Sequence, residues 1–279
     1  MSLHPASLLS RPLPDLGAAP AELKRMAIPF GVASLELLAD RMLTVRSDWK
    51  FVIPQAVLPK LLRSLSKTHL VLLAGEARWG RYSSQYYDTP DLDCFHDHRR
   101  GKPRRYKVRH RDYLDRHLTM LEIKDRDPRG NTHKRRLPQV WRQRSVDVQG
   151  DTFLSEGGHV PVGELIPTLA NRFWRLTLLG AKVQERLTVD LGIGFGLNGL
   201  QTDLKGVCVL EVKSAEPRHK TPTLALLSRV GMRPRGMSKY CVGTCLLMPD
   251  AHPAWFAPLR RTLGQISAAA APPAQILER

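Results

Sequence analysis

A run of ten residues, 104–113, carries a cation at every second position. It reads Arg104-Arg105-Tyr106-Lys107-Val108-Arg109-His110-Arg111-Asp112-Tyr113. Alternate residues of a β-strand share a face, so this pattern predicts a strand with a cationic side and with Tyr106 and Val108 on the opposite side. The cationic side comprises Arg105, Lys107, Arg109 and Arg111. Neighbouring cations repel one another, which leaves two interpretations open: a solvated face, or the wall of a site that binds anions.

The whole chain is strongly basic. It has 279 residues, 42% of them hydrophobic, a formal net charge of +17 and a pI near 10.2. This length is sufficient for one large domain or two small ones. The charge predicts a polyanionic partner, but it does not choose among nucleic acid, anionic lipid and phosphate-rich small molecules.

Several classes of protein are not expected from this sequence. The four cysteines show no CxxC spacing, and the histidines show neither HxxxH nor HExxH spacing, so neither a disulfide framework nor a Cys or His metal site is predicted. No segment approaches the roughly 20 apolar residues of a membrane helix, and no signal peptide is recognisable. We expect a cytoplasmic protein with a flexible leader at 1–20, a single domain at 21–266 and a flexible tail at 267–279.

The charged face of the opening strand recurs along the chain. Further segments with alternating charged positions are 46–53, 117–124, 132–137, 184–191 and 207–213. Additional strands are expected at 81–89, 171–179 and 238–248, and amphipathic helices at 54–68, 221–231 and 254–266. A short helix is expected after Asp91 and another near Glu164, whereas 142–156 has no clear pattern. Hairpin connections predict a mainly antiparallel sheet. A sandwich would expose the charged faces and a barrel would enclose them, and periodicity alone favours neither.

Seven short motifs occur in order between residues 44 and 250. They are Tyr86-Tyr87-Asp88-Thr89-Pro90-Asp91, Arg109-x-Arg111-x-Tyr113, Leu121-Glu122-Ile123-Lys124, Lys134-x-Arg136, Glu185-Arg186-Leu187-Thr188-Val189-Asp190, Leu210-Glu211-Val212-Lys213 and Ser238-Lys239-Tyr240. In this order they resemble the VTC domain, the polyphosphate polymerase module of the triphosphate tunnel metalloenzymes in the CYTH-like superfamily. The resemblance implies an α+β fold, in which an eight-stranded antiparallel β-barrel forms a triphosphate tunnel with helices packed outside.

The resemblance also implies roles for individual residues. The basic residues that would hold the triphosphate or the polyphosphate chain are Lys50, Arg109, Arg111, Lys124, Lys134, Arg175 and Lys239. Further candidates for substrate binding are Lys107, Arg136, Arg186 and Lys213. Glu211 matches the acidic residue that holds Mn2+ or Mg2+, although an ion pair with Lys213 is the alternative. Glu122 is either a metal-shell or water-orienting carboxylate, or a structural ion pair. Asp48 stands where the family usually has Glu, which leaves its metal role open.

The function implied is transfer of the γ-phosphoryl group of ATP to a growing polyphosphate chain, with Mn2+ or Mg2+ as cofactor. Two alternatives remain: a metal-dependent triphosphatase or polyphosphatase on the same fold, and a non-catalytic module that binds polyphosphate or nucleic acid. Expected partners are ATP and polyphosphate or pyrophosphate. Aromatic residues lie on the faces opposite the cations, which argues against specific nucleic-acid binding. Transport of product across a membrane would require a partner protein.

Overall fold

A computed structural model describes residues 13–42, 46–156, 160, 164–215, 221–248 and 254–270. These residues form ten β-strands and eight α-helices. The strands are β1 Ser47–Pro54, β2 His69–Leu72, β3 Trp79–Asp88, β4 Arg105–Tyr113, β5 Leu118–Arg126, β6 Thr132–Gln139, β7 Ile166–Gly180, β8 Glu185–Leu197, β9 Leu200–Asp203 and β10 Val207–Ser214. The helices are α1 Ala21–Ala27, α2 Leu35–Asp40, α3 Leu58–Leu65, α4 Asp93–Arg99, α5 Val148–Ser155, α6 Pro222–Arg229, α7 Lys239–Leu247 and α8 Ala257–Ala270.

All ten strands belong to one antiparallel sheet. Eight of them follow the path β1-β10-β8-β7-β3-β4-β5-β6, while β2 pairs with β7 and β9 pairs with β8. The predicted α+β class and the antiparallel path of eight strands are therefore confirmed. The path ends at β1 and β6, and these two strands do not pair within the described chain. The sheet is thus not closed by backbone hydrogen bonds, which differs from the closed barrel that we expected.

The ladder between the two longest strands, β7 and β8, is irregular beside a glycine. Gly192 of β8 has a φ of 58°, and a Cβ atom there would lie 2.2 Å from the ring of Trp174 on β7. The register of the β7–β8 ladder shifts between Arg172 and Trp174. Such irregularities bend a strand and increase its twist. They allow β7 and β8 to follow the curvature of the sheet while remaining paired.

Two hydrophobic clusters support the sheet. One packs Leu58, Leu61, Leu62 and Leu65 of α3 with Phe51 of β1 and apolar residues of β7, β8 and β10. The other gathers β3, β4, β5, α4, α7 and α8 around residues such as Phe95 and Phe195. Complete burial of one large apolar side chain contributes about 1.5–3 kcal/mol, so these clusters are the main source of stability.

Asp88 anchors two helices to the end of β3. Its buried carboxylate accepts hydrogen bonds from the backbone N–H groups of Thr89, Cys94 and Phe95 at 2.8–3.0 Å, and from the hydroxyl of Tyr240. These donors belong to the beginning of α4 and to α7. Within the Tyr86-Tyr87-Asp88-Thr89 motif, Asp88 therefore has a structural role, since it connects β3 to α4 and α7. Unpaired N–H groups at the start of a helix require such an acceptor when they are buried.

The segment 238–248 was predicted to be a strand, and this prediction is wrong. Residues 239–247 form α7, and the hydroxyl of Ser238 accepts a hydrogen bond from the N–H group of Cys241 at its start. Seven of the nine helical residues are buried. A short segment that is apolar on every side carries no period, so strand and helix cannot be distinguished from the pattern.

The three predicted amphipathic helices exist, but α8 lies in an unexpected place. Val52 and Val209 share the sheet face of Lys50 and Glu211, and they belong to the same cluster as Leu259, Leu263 and Ile266 of α8. This helix contacts β1 and β10. It therefore covers one end of the charged face instead of the outside of the sheet, where α3 packs.

Several other segments differ from the prediction. The unassigned segment 142–156 contains α5, which begins after Asp147. In place of the helix expected near Glu164, residues from Ile166 onward belong to β7, and 161–163 lie outside the described residues. The described part of the expected leader packs on the sheet, with Leu13 and Leu16 buried. The final helix extends to Ala270, into the expected tail. No helix in the described ranges has both the length and the apolarity needed to cross a membrane.

Candidate functional site

The structure brings all the predicted site residues to one side of the curved sheet. Directly opposed residues of an antiparallel pair share a face. Across β4, β5 and β6, one row consists of Lys107, Lys124 and Lys134, and the next consists of Arg109, Glu122 and Arg136. Opposed pairs elsewhere on this face are Lys50 with Glu211, Lys213 with Arg186, Arg175 with Asp190, and Ser84 with Arg111. Lys239 joins them from the first turn of α7. We call this side the cationic face.

Glu122 is the centre of the β4–β5–β6 part of the cationic face. Its side chain is 2% exposed, and it accepts hydrogen bonds from Arg109 at 2.8 and 2.6 Å, from Lys134 at 2.7 Å and from Tyr113 at 3.0 Å. Burial disfavours its charge, but Arg109, Arg111 and Lys134 hold the pKa of this carboxyl well below its usual range. Both oxygens of Glu122 are engaged, as in the ion-pair alternative, and its predicted metal or water-orienting role stays a prediction.

A second buried carboxylate, Asp190, organises the β7–β8 part. Arg175 donates to its two oxygens at 2.6 and 2.7 Å, and Lys239 forms an ion pair with it. Burial acts to raise the pKa of Asp190, but Arg175 and Lys239 outweigh it and lower this pKa to about 2. Asp190 was not predicted as a site residue, although it ends one of the seven motifs. It fixes the side chains of two predicted phosphate ligands.

The third acidic group lies between β1 and β10 and is more accessible. Glu211 is 19% exposed, and its Oε1 atom contacts the ammonium groups of Lys50 and of Lys213. Asp48 contacts Lys213 at 2.8 Å. Burial opposes the charge of Glu211, but the two lysines hold the pKa of its carboxyl well below the usual range. The predicted alternative of an ion pair with Lys213 is thus observed, and it leaves the predicted metal role untested.

Cations exceed carboxylates on this face. Among the described residues, the cations are Lys50, Arg105, Lys107, Arg109, Arg111, Lys124, Arg126, Lys134, Arg136, Arg175, Arg186, Lys213 and Lys239, and the carboxylates are Asp48, Glu122, Asp190 and Glu211. Crowding by protein atoms and repulsion from Lys50 lower the pKa of Lys124 to about 8. Burial lowers the pKa of Lys107, whose ammonium group contacts Nδ1 of His98 at 3.0 Å. The surplus of positive charge would be neutralised by a bound polyanion.

Aromatic groups line the face between the cations, so the expectation that aromatic residues lie on the opposite faces is wrong, and with it the argument against nucleic acid that rested on it. The hydroxyl of Tyr86 accepts a hydrogen bond from Arg109 at 3.0 Å. Burial opposes ionisation of Tyr86, but Arg109, Arg111 and Lys239 outweigh it and lower its pKa. The Arg175 guanidinium lies 5.0 Å from the ring centre of Phe173, which stacks on Tyr82. Such contacts stabilise the arginines in a fixed orientation.

Helices α4 and α7 cover the end of the cationic face at which Tyr86 and Lys107 lie. His98 of α4 contacts Lys107, and Tyr240 of α7 stacks on Tyr86 with ring centres 5.1 Å apart. Lys239 reaches Asp190 from the same direction. A ligand that lies along the cationic face is therefore confined at this end by helices.

On the cationic face, Asp48 and Glu211 are the carboxylates whose chemistry and exposure fit a divalent metal. No group of three or more His, Cys, Asp or Glu side chains that could hold a metal occurs in the described residues. Mg2+ and similar ions are often held by one or two carboxylates, with water and substrate phosphates as the other ligands. Asp48 and Glu211 are oxygen donors, both contact the same ammonium group and both are accessible. This donor set is sufficient when the substrate provides the remaining oxygens.

These features match the chemistry of phosphate recognition. Arginine presents a planar fork that binds two phosphate oxygens at once, and lysine adds a compact charge. Arg109, Arg111 and Arg175 are each buried or nearly so, and neighbouring acidic or hydroxyl groups orient them. A chain of phosphates could contact several of them together.

The sequence comparisons agree with this description. Residues 45–146 match the model of the VTC domain. No significant match to a curated protein was found. The match ends before β7, so the motifs that contain Asp190, Glu211 and Lys239 lie outside the matched range.

Solved structures with a similar arrangement were also found. A candidate adenylate cyclase from Bacillus halodurans is 13% identical, with a TM-score of 0.47, and the match covers 70% of this chain and 94% of the other. A candidate adenylyl cyclase from Hippeastrum with a dominant triphosphatase activity is 16% identical, with a TM-score of 0.45, and the match covers 75% of this chain and 100% of the other. The segment 45–146 of this chain matches the VTC domain family, which confirms the resemblance of its motifs.

Proposed function

We propose that this protein is an ATP-dependent polyphosphate polymerase that transfers the γ-phosphoryl group of a bound triphosphate to a polyphosphate chain. One observation carries the proposal: cations from eight elements converge on one face, and they outnumber its carboxylates. A fully ionised triphosphate bears several negative charges and would be bound poorly without such partners. A polyphosphate chain is linear, and the cations of β4, β5 and β6 are likewise arranged in rows.

In this proposal, the residues of the cationic face bind and orient the phosphates. Arg109 and Arg111, held by Glu122 and Ser84, would contact the non-bridging oxygens. Arg175 and Lys239, held by Asp190, would contact them from the other wall. Phosphoryl transfer depends mainly on positioning and on stabilisation of charge, both of which this arrangement supplies.

Asp48 and Glu211 would hold the divalent metal in the proposed enzyme. Mn2+ or Mg2+, when bound, draws negative charge from the phosphate oxygens and helps to orient them. Lys50 and Lys213 lie beside the two carboxylates and would contact phosphate oxygens there.

The state of Glu122 supports transfer to a phosphate over transfer to water. An acceptor phosphate is already ionised and needs no base, whereas water must be activated or oriented. Glu122 was the candidate for that task, but Arg109, Lys134 and Tyr113 occupy its oxygens and its pKa is well below the usual range. It is therefore a poor proton acceptor near neutral pH.

A triphosphatase is the second candidate, and the covered end of the cationic face favours it. Helices α4 and α7 lie at that end, where a long product would otherwise leave. A substrate that enters and leaves by the same side needs only one opening. This candidate requires a different means of orienting water, since Glu122 is unsuited.

The test is incubation of the protein with ATP and Mn2+ or Mg2+, followed by sizing of the products on a gel. Long polyphosphate is the expected product, and release of free phosphate alone would identify a hydrolase. Glu211→Ala should retain anion binding and lose turnover. Binding of polyphosphate without any turnover in the wild type would indicate a binding module, and the enzyme proposal would be wrong.

A further inference from the structure

The ammonium group of Lys213 lies between the two accessible carboxylates of the cationic face. Its Nζ atom is 2.8 Å from Oδ2 of Asp48 and 3.3 Å from Oε1 of Glu211. Lys213 and Glu211 are on β10, and Asp48 is opposite Lys213 on β1. A single cation thus bridges two strands through the oxygens that the proposed function assigns to a metal.

This carboxylate pair differs from the other two acidic centres. Glu122 and Asp190 are 2% and 3% exposed, and each is held by a guanidinium group together with a lysine. Glu211 and Asp48 are 19% and 35% exposed. Lys213 contacts both of them, while Lys50 also contacts Glu211 and the guanidinium of Arg46 also contacts Asp48 at 3.0 Å. An ammonium group is a compact point charge on a flexible stem, whereas the guanidinium fork binds a carboxylate in a fixed plane. The Lys213 contacts are therefore the ones that another cation can replace most readily.

We propose that Lys213 is a resident counter-cation, which a divalent metal displaces from Asp48 and Glu211 when it binds. The proposal rests on the proposed function, because it takes the metal role of these carboxylates from there. Without metal, Lys50, Lys213 and Arg46 neutralise the two carboxylates. A divalent ion carries two positive charges, so the carboxylates remain neutralised when the single charge of Lys213 leaves them.

Displacement would couple metal binding to substrate binding. The ammonium group that leaves the carboxylates stays on the cationic face, since Lys213 is fixed in β10 opposite Arg186. There it gains a phosphate oxygen as its partner. Metal binding then raises the affinity for the triphosphate, and by linkage the triphosphate raises the affinity for the metal to the same extent. The competing ammonium group keeps the metal affinity low until substrate is present.

The experiment measures binding of Mn2+ alone to the full chain without substrate, by calorimetry or by electron paramagnetic resonance. Lys213→Met keeps the length of the side chain and removes the competing charge. We expect it to bind Mn2+ more tightly than the wild type, on the order of tenfold. With Mn2+ present, the same variant should bind a non-hydrolysable ATP analogue more weakly than the wild type does.

Two further variants make the result specific. Arg186→Met removes a cation of the same face that is opposite Lys213 and forms no ion pair with a described carboxylate, and it should tighten Mn2+ binding less than threefold. Lys213→Gln serves as a second replacement if thermal unfolding shows that Lys213→Met is not folded. Glu211→Gln should lose Mn2+ binding.

The outcomes separate this inference from the proposed function. If Glu211→Gln loses Mn2+ binding but Lys213→Met and Lys213→Gln bind it no tighter than the wild type, displacement is wrong and the metal site stands. If Arg186→Met tightened Mn2+ binding as much as Lys213→Met does, the cause would be the overall positive potential of the cationic face, and displacement would also be wrong. If neither the wild type nor Lys213→Met binds Mn2+, or if Glu211→Gln binds it as the wild type does, the metal role in the proposed function is wrong and this inference falls with it.

Discussion

Arg109 and Glu122 face each other across β4 and β5, and the guanidinium donates two hydrogen bonds to one carboxylate oxygen, at 2.8 and 2.6 Å. The hydroxyl of Tyr86 accepts a third hydrogen bond from the same guanidinium at 3.0 Å. Arg109 is therefore fixed in place before any ligand arrives. Since the partner carboxylate is itself shared with Lys134, the pair belongs to a network in which removal of one member changes the others.

Arg109→Ala should weaken binding of a non-hydrolysable ATP analogue by about 10- to 100-fold, the range for loss of a hydrogen bond to a charged group. The protein should remain folded, because Lys134 and Arg136 still neutralise Glu122. Calorimetry measures the dissociation constant. Arg135→Ala, a change on the opposite face of β6, is the control and should bind normally. Unchanged affinity in Arg109→Ala would show that this part of the cationic face does not contact the triphosphate.

Glu122→Gln should destabilise the protein by roughly 3–5 kcal/mol, because it leaves several partly buried cations without their counter-charge. Urea unfolding measures this change. Glu156→Gln is the matched control, since its carboxylate is 65% exposed and pairs with Arg135 at 3.4 Å, so about 0–1 kcal/mol is expected. Added inorganic phosphate should restore part of the stability of Glu122→Gln. Equal effects of the two substitutions would argue against the central role of Glu122.

Binding of the ATP analogue should depend on pH through Lys124, whose pKa is lowered to about 8. The anion favours the protonated lysine, so affinity is highest well below that pH and falls as the pH rises through it. The arginines of the face do not titrate in this range. Lys124→Met should lower the affinity at neutral pH and reduce the slope above pH 8. An unaltered pH profile in this variant would mean that another group titrates.

Tyr240→Phe should lower stability by about 1–3 kcal/mol, because the buried carboxylate of Asp88 loses a hydroxyl donor. Asp88→Asn should also destabilise the protein. The double variant should cost less than the sum of the two single changes, since both act on one network. Thermal or urea unfolding of the three variants completes the cycle. Additive effects would show that Asp88 and Tyr240 are not coupled.

The alternation of charged and apolar residues, with a period of two, was the sequence pattern that predicted the strands correctly. Charged alternate positions in 46–53, 104–113, 117–124 and 132–137 correctly predicted strands whose polar positions share one face. The predicted site residues occupy that face because register, once fixed, determines the direction of every side chain in a strand. Their individual roles stay predictions.

Other features could not be obtained from local patterns. The segment that became α7 is apolar on all sides, so no period distinguished helix from strand. Asp190 looks like any polar strand residue until tertiary contacts bring Arg175 and Lys239 to it. The location of α8 depends on which apolar patch it covers, and amphipathicity alone does not specify the surface against which a helix packs.

The unpaired ends of the strand path have a mechanical consequence. In a ring of strands, widening the lumen breaks backbone hydrogen bonds somewhere along the circumference. Here β1 and β6 carry no such bonds to each other in the described chain, so the two edges can move apart while every ladder between them remains intact. In the proposed polymerase, a polymer would therefore enter from the side between β1 and β6, whereas a closed ring of strands would require a free chain end.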